Sequence, residues 1–200
     1  MDTFEAIRTR RAVKKYDADF EIPQEQEVLL KDLIRQSPTS FNLRNWRFVI
    51  VKDKELRKNI RQVAWDQPQI TDASLLFVIT GDLKAWDKDP ARYMINYPED
   101  LREMYVPKIK GFYEGNDWQQ RDEVMRSGGL AAQTLMLSAK AMGYDSCPMI
   151  GFDIDAVGKL IKLPRDHVIC MIVAVGKAIA PPRPKGGYIP DEEVFITDTF

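Results

Sequence analysis

The sequence predicts an α+β fold in which one central sheet is covered by helices on both faces. Helical periodicity dominates the chain, and its strongest stretch, residues 119–142, carries two neighbouring apolar stripes whose small residues allow close packing. Three shorter runs, 46–51, 75–80 and 168–175, are apolar at consecutive positions, which is typical of strands buried on both faces. Because helical stretches separate these runs, we expect a single sheet between helical layers.

Several helix starts carry local signals. Asp2 or Thr3 can cap a first helix, because short polar side chains accept hydrogen bonds from the free N–H groups of a first turn. Asp53 and Asp153 are placed to cap two further helices. The second of these follows residues 147–152, CPMIGF, which we interpret as an apolar loop.

Length and composition indicate one domain that spans residues 1–200. Hydrophobic residues make up 44% of the chain and charged residues 30%, as in ordinary globular proteins. The net charge of -1 argues against nucleic acid or an anionic membrane as a partner. Cys147 and Cys170 match no metal-ligand spacing, and the acidic N-terminus lacks the apolar region of a signal peptide. We therefore expect a cytoplasmic protein with free thiols, no metal and no membrane-spanning segment.

Two segments have unusual compositions. Residues 86–118 contain seven aromatic residues among many charges and three prolines. They fit either a partly exposed helical excursion packed on its own rings or a lid or partner-covering arm whose rings line an apolar pocket. Residues 177–200 are rich in proline yet keep apolar residues near the end, so we expect an arm that lies on another surface, for which a second subunit is a candidate.

Basic residues cluster near both ends of the chain. Arg10, Arg11 and Lys14 form one group, and Arg183 and Lys185 form another. Converging guanidinium and ammonium groups bind phosphate well, although such runs are more often solvated surface.

Two loops could contact a polar ring. Residues 38–42 offer hydroxyl, amide and backbone N–H groups, and residues 149–151 could present N–H groups at close range because Gly151 has no side chain. Each of these two segments can also be interpreted as a simple loop or turn without a ligand. His167 has no evident nucleophile beside it, and no phosphate-binding glycine motif is present, so a bound cofactor would have to carry the chemistry.

Taken in order, five stretches of the chain resemble the FMN-dependent nitroreductase family. They are RRAVKKYD at 10–17, SPTSFNLRNWRFVIV at 37–51, DQPQITDAS at 66–74, LMLSAKAMGYDSCPMIGFD at 135–153 and VAVGKAIAPPRPKGGYIPDEEVF at 173–195. Each motif is weak alone, but five in the right order are specific and cover nearly the whole chain. The CPMIGFD stretch is most similar to bacterial enzymes linked to quinone and nitroaromatic reduction.

The resemblance implies an α+β sandwich with a central mixed, mainly antiparallel sheet. Two subunits would interleave as a homodimer by exchange of their C-terminal arms, with two FMN molecules at the interface. The loop at 38–42 would then reach the flavin of the other subunit, and the N–H groups of Ile150 and Gly151 would point at flavin N5 and O4. The flavin contacts that the resemblance implies come from Arg10, Arg11, Ala12, Lys14, Pro38, Thr39, Ser40, Asn42, Asp66, Gln69, Pro148, Met149, Ile150, Gly151, Arg183 and Lys185.

The chain departs from the family pattern at a few of these positions. Ala12 replaces the usual serine, which removes one hydroxyl from the phosphate site, and Asp66 stands where asparagine is expected. Arg44–Asn45 replaces a Gln-Pro pair, and Gly187 or Tyr188 replaces a basic residue.

The implied activity is a ping-pong transfer of hydride from NAD(P)H through flavin N5 to an electron-poor small molecule such as a nitroaromatic or a quinone. Lys14 is the candidate for a positive charge near N1 and O2, and no side chain is an obvious general acid. Two alternatives remain open: a flavin-binding or sensing protein without turnover, and a family member with dehalogenase or flavin-degrading chemistry.

Overall fold

The computed structural model describes all residues, 1–200, and its centre is a four-stranded antiparallel sheet in the order β1-β2-β4-β3. The strands are β1 (Trp46–Ile50), β2 (Leu75–Asp82), β3 (Asp145–Met149) and β4 (His167–Gly176). The helices are α1 (Thr3–Thr9), α2 (Gln24–Ile34), α3 (Lys54–Gln62), α4 (Gln69–Asp72), α5 (Glu99–Tyr113), α6 (Asp117–Ala141), α7 (Ile154–Leu160) and α8 (Asp191–Val194). Short 3-10 helices cover Ser40–Asn42 and Pro90–Met94.

The helix starts follow the side chains that precede them. The carboxylates of Asp2, Asp53 and Asp153 each accept a backbone N–H from the first turn of α1, α3 and α7, at 2.6 to 2.9 Å. These caps confirm the boundaries that the sequence predicts.

The sheet separates two apolar clusters. On one face, α3, α4 and α7 pack with Val13 and Tyr16 against alternate residues of β2, β3 and β4. On the other face, α2 and α6 cover the remaining residues of β2 and β4, among them Phe77 and Val173. The predicted α+β architecture with helices on both faces is therefore confirmed. An isolated parallel bridge between Ala12 and Ser146 adds a short parallel element at the β3 edge.

Three local predictions were wrong or incomplete. Residues 147–149 belong to β3 instead of an apolar loop, because Asp145–Met149 pairs with β4. The strand at 46–50 is only partly buried, because it lies at the opposite edge of the sheet. On α6, the stripe of Ala131 and Leu135 is buried, whereas the stripe that contains Leu130 faces outward, with Leu130 48% exposed.

The aromatic segment 86–118 forms a third, smaller cluster beside the start of β1. Trp86 and Tyr113 are buried and stack at 6.3 Å, and Leu43 packs with them. Phe112 and Trp118 remain exposed. The segment thus packs on its own rings and also presents apolar side chains outward.

The C-terminal arm has little contact with the core of its own chain. From residue 181 onward its side chains are almost all exposed, and Phe195 and Phe200 have no apolar cover. None of the helices combines the length and the apolar character that crossing a bilayer requires.

Candidate functional site

Both ends of the chain meet along β3. After α1, the backbone bridges to β3 at Ala12 and then to the segment after β4, where Tyr16 pairs with Ala178. The returning segment is held by a bond from the N–H of Ile179 to the carbonyl of Lys15, 3.2 Å long. Residues that are far apart in sequence are therefore neighbours at this edge of the sheet.

An open cleft of about 530 Å³ lies where these ends meet. The Arg11 guanidinium donates to the carbonyl oxygen of Arg183, and Lys185 Nζ donates to the carbonyl oxygen of Arg8 at 3.2 Å. The cleft is lined by Ile7, Arg10, Arg11, Ala12, Lys14, Arg183, Pro184, Lys185, Gly186, Gly187 and Tyr188. Its five cations form no ion pair with an acidic side chain, so the cleft is positive and suited to a phosphate.

The turn at the end of β3 presents two free donors. The backbone N–H groups of Ile150 and Gly151 have no hydrogen-bond partner in the chain, and the Ile150 side chain is 77% exposed. A Cβ atom at Gly151 would lie only 2.2 Å from Cζ3 of Trp65. Gly151 is therefore required for the close approach of this indole, and the turn leaves its N–H groups open to a ligand.

The segment before α4 borders the same turn. Gln67 Nε2 donates to the carbonyl oxygen of Gly151 at 2.8 Å. Gln69 is buried, and its amide donates to Gln67 Oε1 at 3.0 Å and lies 3.3 Å from the sulfur of Met149. The Asp66 carboxylate is 83% exposed and pairs with Arg61 Nε at 2.6 Å.

Sequence reasoning did not single out Trp65 and Gln67. Trp65 and Asp66 both have positive φ values, 54° and 52°, which redirect the side chains of this segment. The only sequence signal was the stretch DQPQITDAS at 66–74, which contains Gln67 and which Trp65 immediately precedes.

Lys14 links the basic cleft to β3. Its ammonium is a positively charged neighbour of the buried Cys147 thiol. Burial raises the pKa of the Cys147 thiol, and the positive charge of Lys14 acts in the opposite direction. Cys147 is thus a neutral core residue, consistent with the expectation of a free thiol.

The loop at 38–42 does not line this cleft. It lies near α6 and the aromatic cluster, where the N–H of Ser40 donates to Glu123 Oε1 at 3.2 Å and Asn42 Nδ2 donates to the carbonyl oxygen of Tyr93 at 2.7 Å. Thr39 Oγ1 accepts the N–H of Arg44 at 2.9 Å. Within one chain, the loop and the basic cleft are separate sites.

His167 belongs to a charged cluster between β2 and β4. Its Nδ1 lies 2.7 Å from Asp166, and Lys88 Nζ bridges Asp82 and Asp166 at 2.9 and 2.6 Å. The bonds from Lys88 and His167 lower the pKa of Asp166 to about 2. Because the Lys88 ammonium already pairs with both carboxylates, this cluster is better suited to structure than to metal binding.

Comparison with known proteins agrees with this architecture. The model of the nitroreductase family matches residues 7–177. The chain belongs to the nitroreductase family. Protein DrgA of Synechocystis sp. is 52% identical over 177 residues, which cover 88% of this chain and 84% of that protein. YodC of Bacillus subtilis, named as a proposed NAD(P)H nitroreductase, is 30% identical and covers 90% of this chain and 91% of its own.

Solved structures of nitroreductases share the fold over almost the whole chain. A protein from Exiguobacterium sibiricum, described as a proposed nitroreductase in complex with FMN, superposes with a TM-score of 0.89 at 27% identity. The match covers 99% of this chain and 98% of that one. The nitroreductase fold is therefore shown for the present chain.

Proposed function

We propose that this nitroreductase is an FMN-dependent enzyme that uses NAD(P)H to reduce electron-poor small molecules such as nitroaromatics or quinones. The observation that carries the proposal is the pairing, along one strand, of a five-cation cleft with a turn that offers two free backbone N–H groups. A phosphate at one end and a polar ring edge at the other are the two features of FMN that such a pair would recognise.

The residues present fit the phosphate and the ribityl chain. Arg10, Arg11 and Lys14 line the cleft from the N-terminal side, and Arg183 and Lys185 line it from the tail. Beside Ala12, the Ser146 hydroxyl is buried without a partner. This hydroxyl does not line the cleft, so the phosphate contacts of the cleft come from the cations.

The residues present also fit the ring edge. Pro148 and Met149 shape the wall of the turn, and Ile150 and Gly151 supply donors that would favour negative charge at a flavin edge. When bound, FMN supplies a carrier that takes hydride at N5 from NAD(P)H and passes it to the acceptor in a ping-pong cycle. Lys14 would add positive charge beside the ring. The proton for the acceptor would come from water, since the carboxylate near the turn, that of Asp66, is exposed and already pairs with Arg61.

We propose that the enzyme is a homodimer that shares this site. The outward stripe of α6 presents apolar side chains that its own chain covers only in part, with Leu130 48% exposed and Leu137 half-buried. The arm at 177–200 is exposed in the same way, so both surfaces fit a second copy that exchanges arms. In such a dimer the loop at 38–42 would reach the partner's flavin, and segment 86–118 would lie over the active site.

Membership of the family and the names of its relatives support oxidoreductase chemistry. A cytoplasmic location, where NAD(P)H is available, agrees with the two free cysteines.

The test is an absorption spectrum of the purified protein followed by anaerobic titration with NAD(P)H. We expect flavin absorbance that one equivalent of NAD(P)H bleaches and that a quinone or nitroaromatic restores. A protein that stays colourless with added FMN would refute the proposal. Bound FMN that NAD(P)H does not bleach would indicate a flavin-binding protein without turnover.

A further inference from the structure

A second basic cleft begins at Ile154, three residues after the turn that ends β3. It has a volume of about 510 Å³ and is formed by the first half of α6, by α7 and by the segment between α7 and β4. It shares no lining residue with the basic cleft at the chain ends. Its size falls within the range of small-molecule sites.

The charges of this cleft are unbalanced. Arg121, Lys159, Lys162 and Arg165 line it, and Asp155 is the one acidic residue among them. None of these five side chains forms an ion pair or a hydrogen bond within the chain. Lys159 and Lys162 lie at the C-terminal end of α7, where the helix dipole favours cations. Arg121 and Arg165 come from other elements, so the dipole of α7 does not account for their position in the cleft.

The floor of the cleft is apolar. Met125, Ile154 and Leu163 line it, together with Gly158, which has no side chain. Ile154 is 55% exposed, so an apolar surface is available to a ligand. Cations around an apolar floor are complementary to a molecule with an anionic head and an apolar body.

Dimer formation would leave this cleft open. Arg121 and Leu130 are nine positions apart on α6, and at about 100° per residue their side chains point in opposite directions. The cleft therefore faces away from the outward stripe that we assign to the dimer interface. Asp153, which caps α7, also donates its N–H to the carbonyl of Val63, so the helix is fixed against the α3 layer.

We propose that this cleft is a second binding site, separate from the flavin site, for a small anionic ligand with a flat apolar body and a phosphate, sulfonate or carboxylate head. The four unpaired cations hold the head, and the apolar floor holds the body. Binding at this site requires neither FMN nor turnover, so the proposal can be tested independently of the proposed enzymatic activity.

The probe is 8-anilinonaphthalene-1-sulfonate, whose fluorescence rises when its rings leave water. The test uses the FMN-saturated protein and a variant with Lys162→Gln and Arg165→Gln, which keeps long polar side chains at both exposed positions. The matched control carries Lys54→Gln and Arg35→Gln, two exposed cations outside the cleft. Thermal melting of all three proteins checks that they are folded.

We expect one bound probe per chain, an affinity about tenfold or more lower in the cleft variant, and a change below about twofold in the control. Adenosine 2′,5′-bisphosphate and 1-naphthoate serve as competitors, and the stronger one shows whether a phosphate or a carboxylate head is preferred. Equal binding to the cleft variant and the native protein would overturn the proposal. Displacement by neutral 1-naphthalenemethanol as strong as by 1-naphthoate would overturn the assignment of an anionic ligand.

Discussion

Replacement of Arg11 by methionine tests how the basic cleft binds its ligand. The substitution keeps an unbranched apolar stem but removes one of the five cations and its bond to the carbonyl of Arg183. A hydrogen bond to a charged group contributes about 1.5–3 kcal/mol. If Arg11 contacts the flavin phosphate, its loss should therefore weaken FMN binding about 10- to 150-fold.

The assay is a titration of flavin-free protein with FMN, followed by the quenching of flavin fluorescence. Riboflavin, which lacks the phosphate, should bind the variant within about twofold of the native protein, because only the phosphate contact is lost. Arg8→Met is the matched control, since Arg8 is exposed on α1 and its side chain does not line the cleft. An equal loss of riboflavin and FMN affinity, or an equal effect of Arg8→Met, would refute the phosphate assignment.

Three further substitutions test other parts of the molecule. Gly151→Ala places a methyl group 2.2 Å from Trp65, so the exposed indole must move. Stopped-flow bleaching of the flavin by NAD(P)H should slow about tenfold, while the free energy of unfolding should change by less than about 1 kcal/mol. An unchanged bleaching rate would contradict this. Leu130→Glu puts a charge on the outward stripe of α6, and sedimentation should show monomers, whereas the exposed control Asn59→Glu on α3 should stay dimeric. Asp166 has a pKa lowered to about 2, so its contribution to stability is present above the ordinary carboxyl pKa near 4 and is lost as the pH falls towards 2. In urea unfolding, Asp166→Asn should be less stable than the native protein at pH 6 but should lose less stability on acidification. Parallel curves of stability against pH for the two proteins would rule this contribution out.

Much of the fold could be predicted because its signals are local. The capping carboxylates of Asp53 and Asp153 act within four residues, and the apolar runs of β2 and β4 are continuous. β3 was missed because its only strand partner is β4, and Pro148 argues against a strand in local sequence. Pro148 is tolerated since β3 is an edge strand, where a missing N–H breaks no inner ladder.

The candidate site also has parts that could be predicted from the sequence and parts that could not. The two basic clusters were visible as charge runs, and their meeting follows from bridges that tie the N-terminal segment to β3 and to residue 178. The orientation of Trp65 and Gln67 could not be predicted from the sequence, because it depends on the left-handed backbone conformations of Trp65 and Asp66. The second cleft was invisible for another reason, since its cations come from three segments that only packing brings together.

The contact of both chain ends at one cleft gives the cofactor a mechanical role. A phosphate held by Arg10 and Lys185 together would act as a noncovalent cross-link that closes a loop of nearly the whole polypeptide. A flavin that binds only the form in which both chain ends meet at the cleft stabilises that form by mass action. Loss of the flavin should therefore release the arm at 177–200 first, so that proteolysis of the apoprotein begins at the arm while the sheet and its helical layers stay intact.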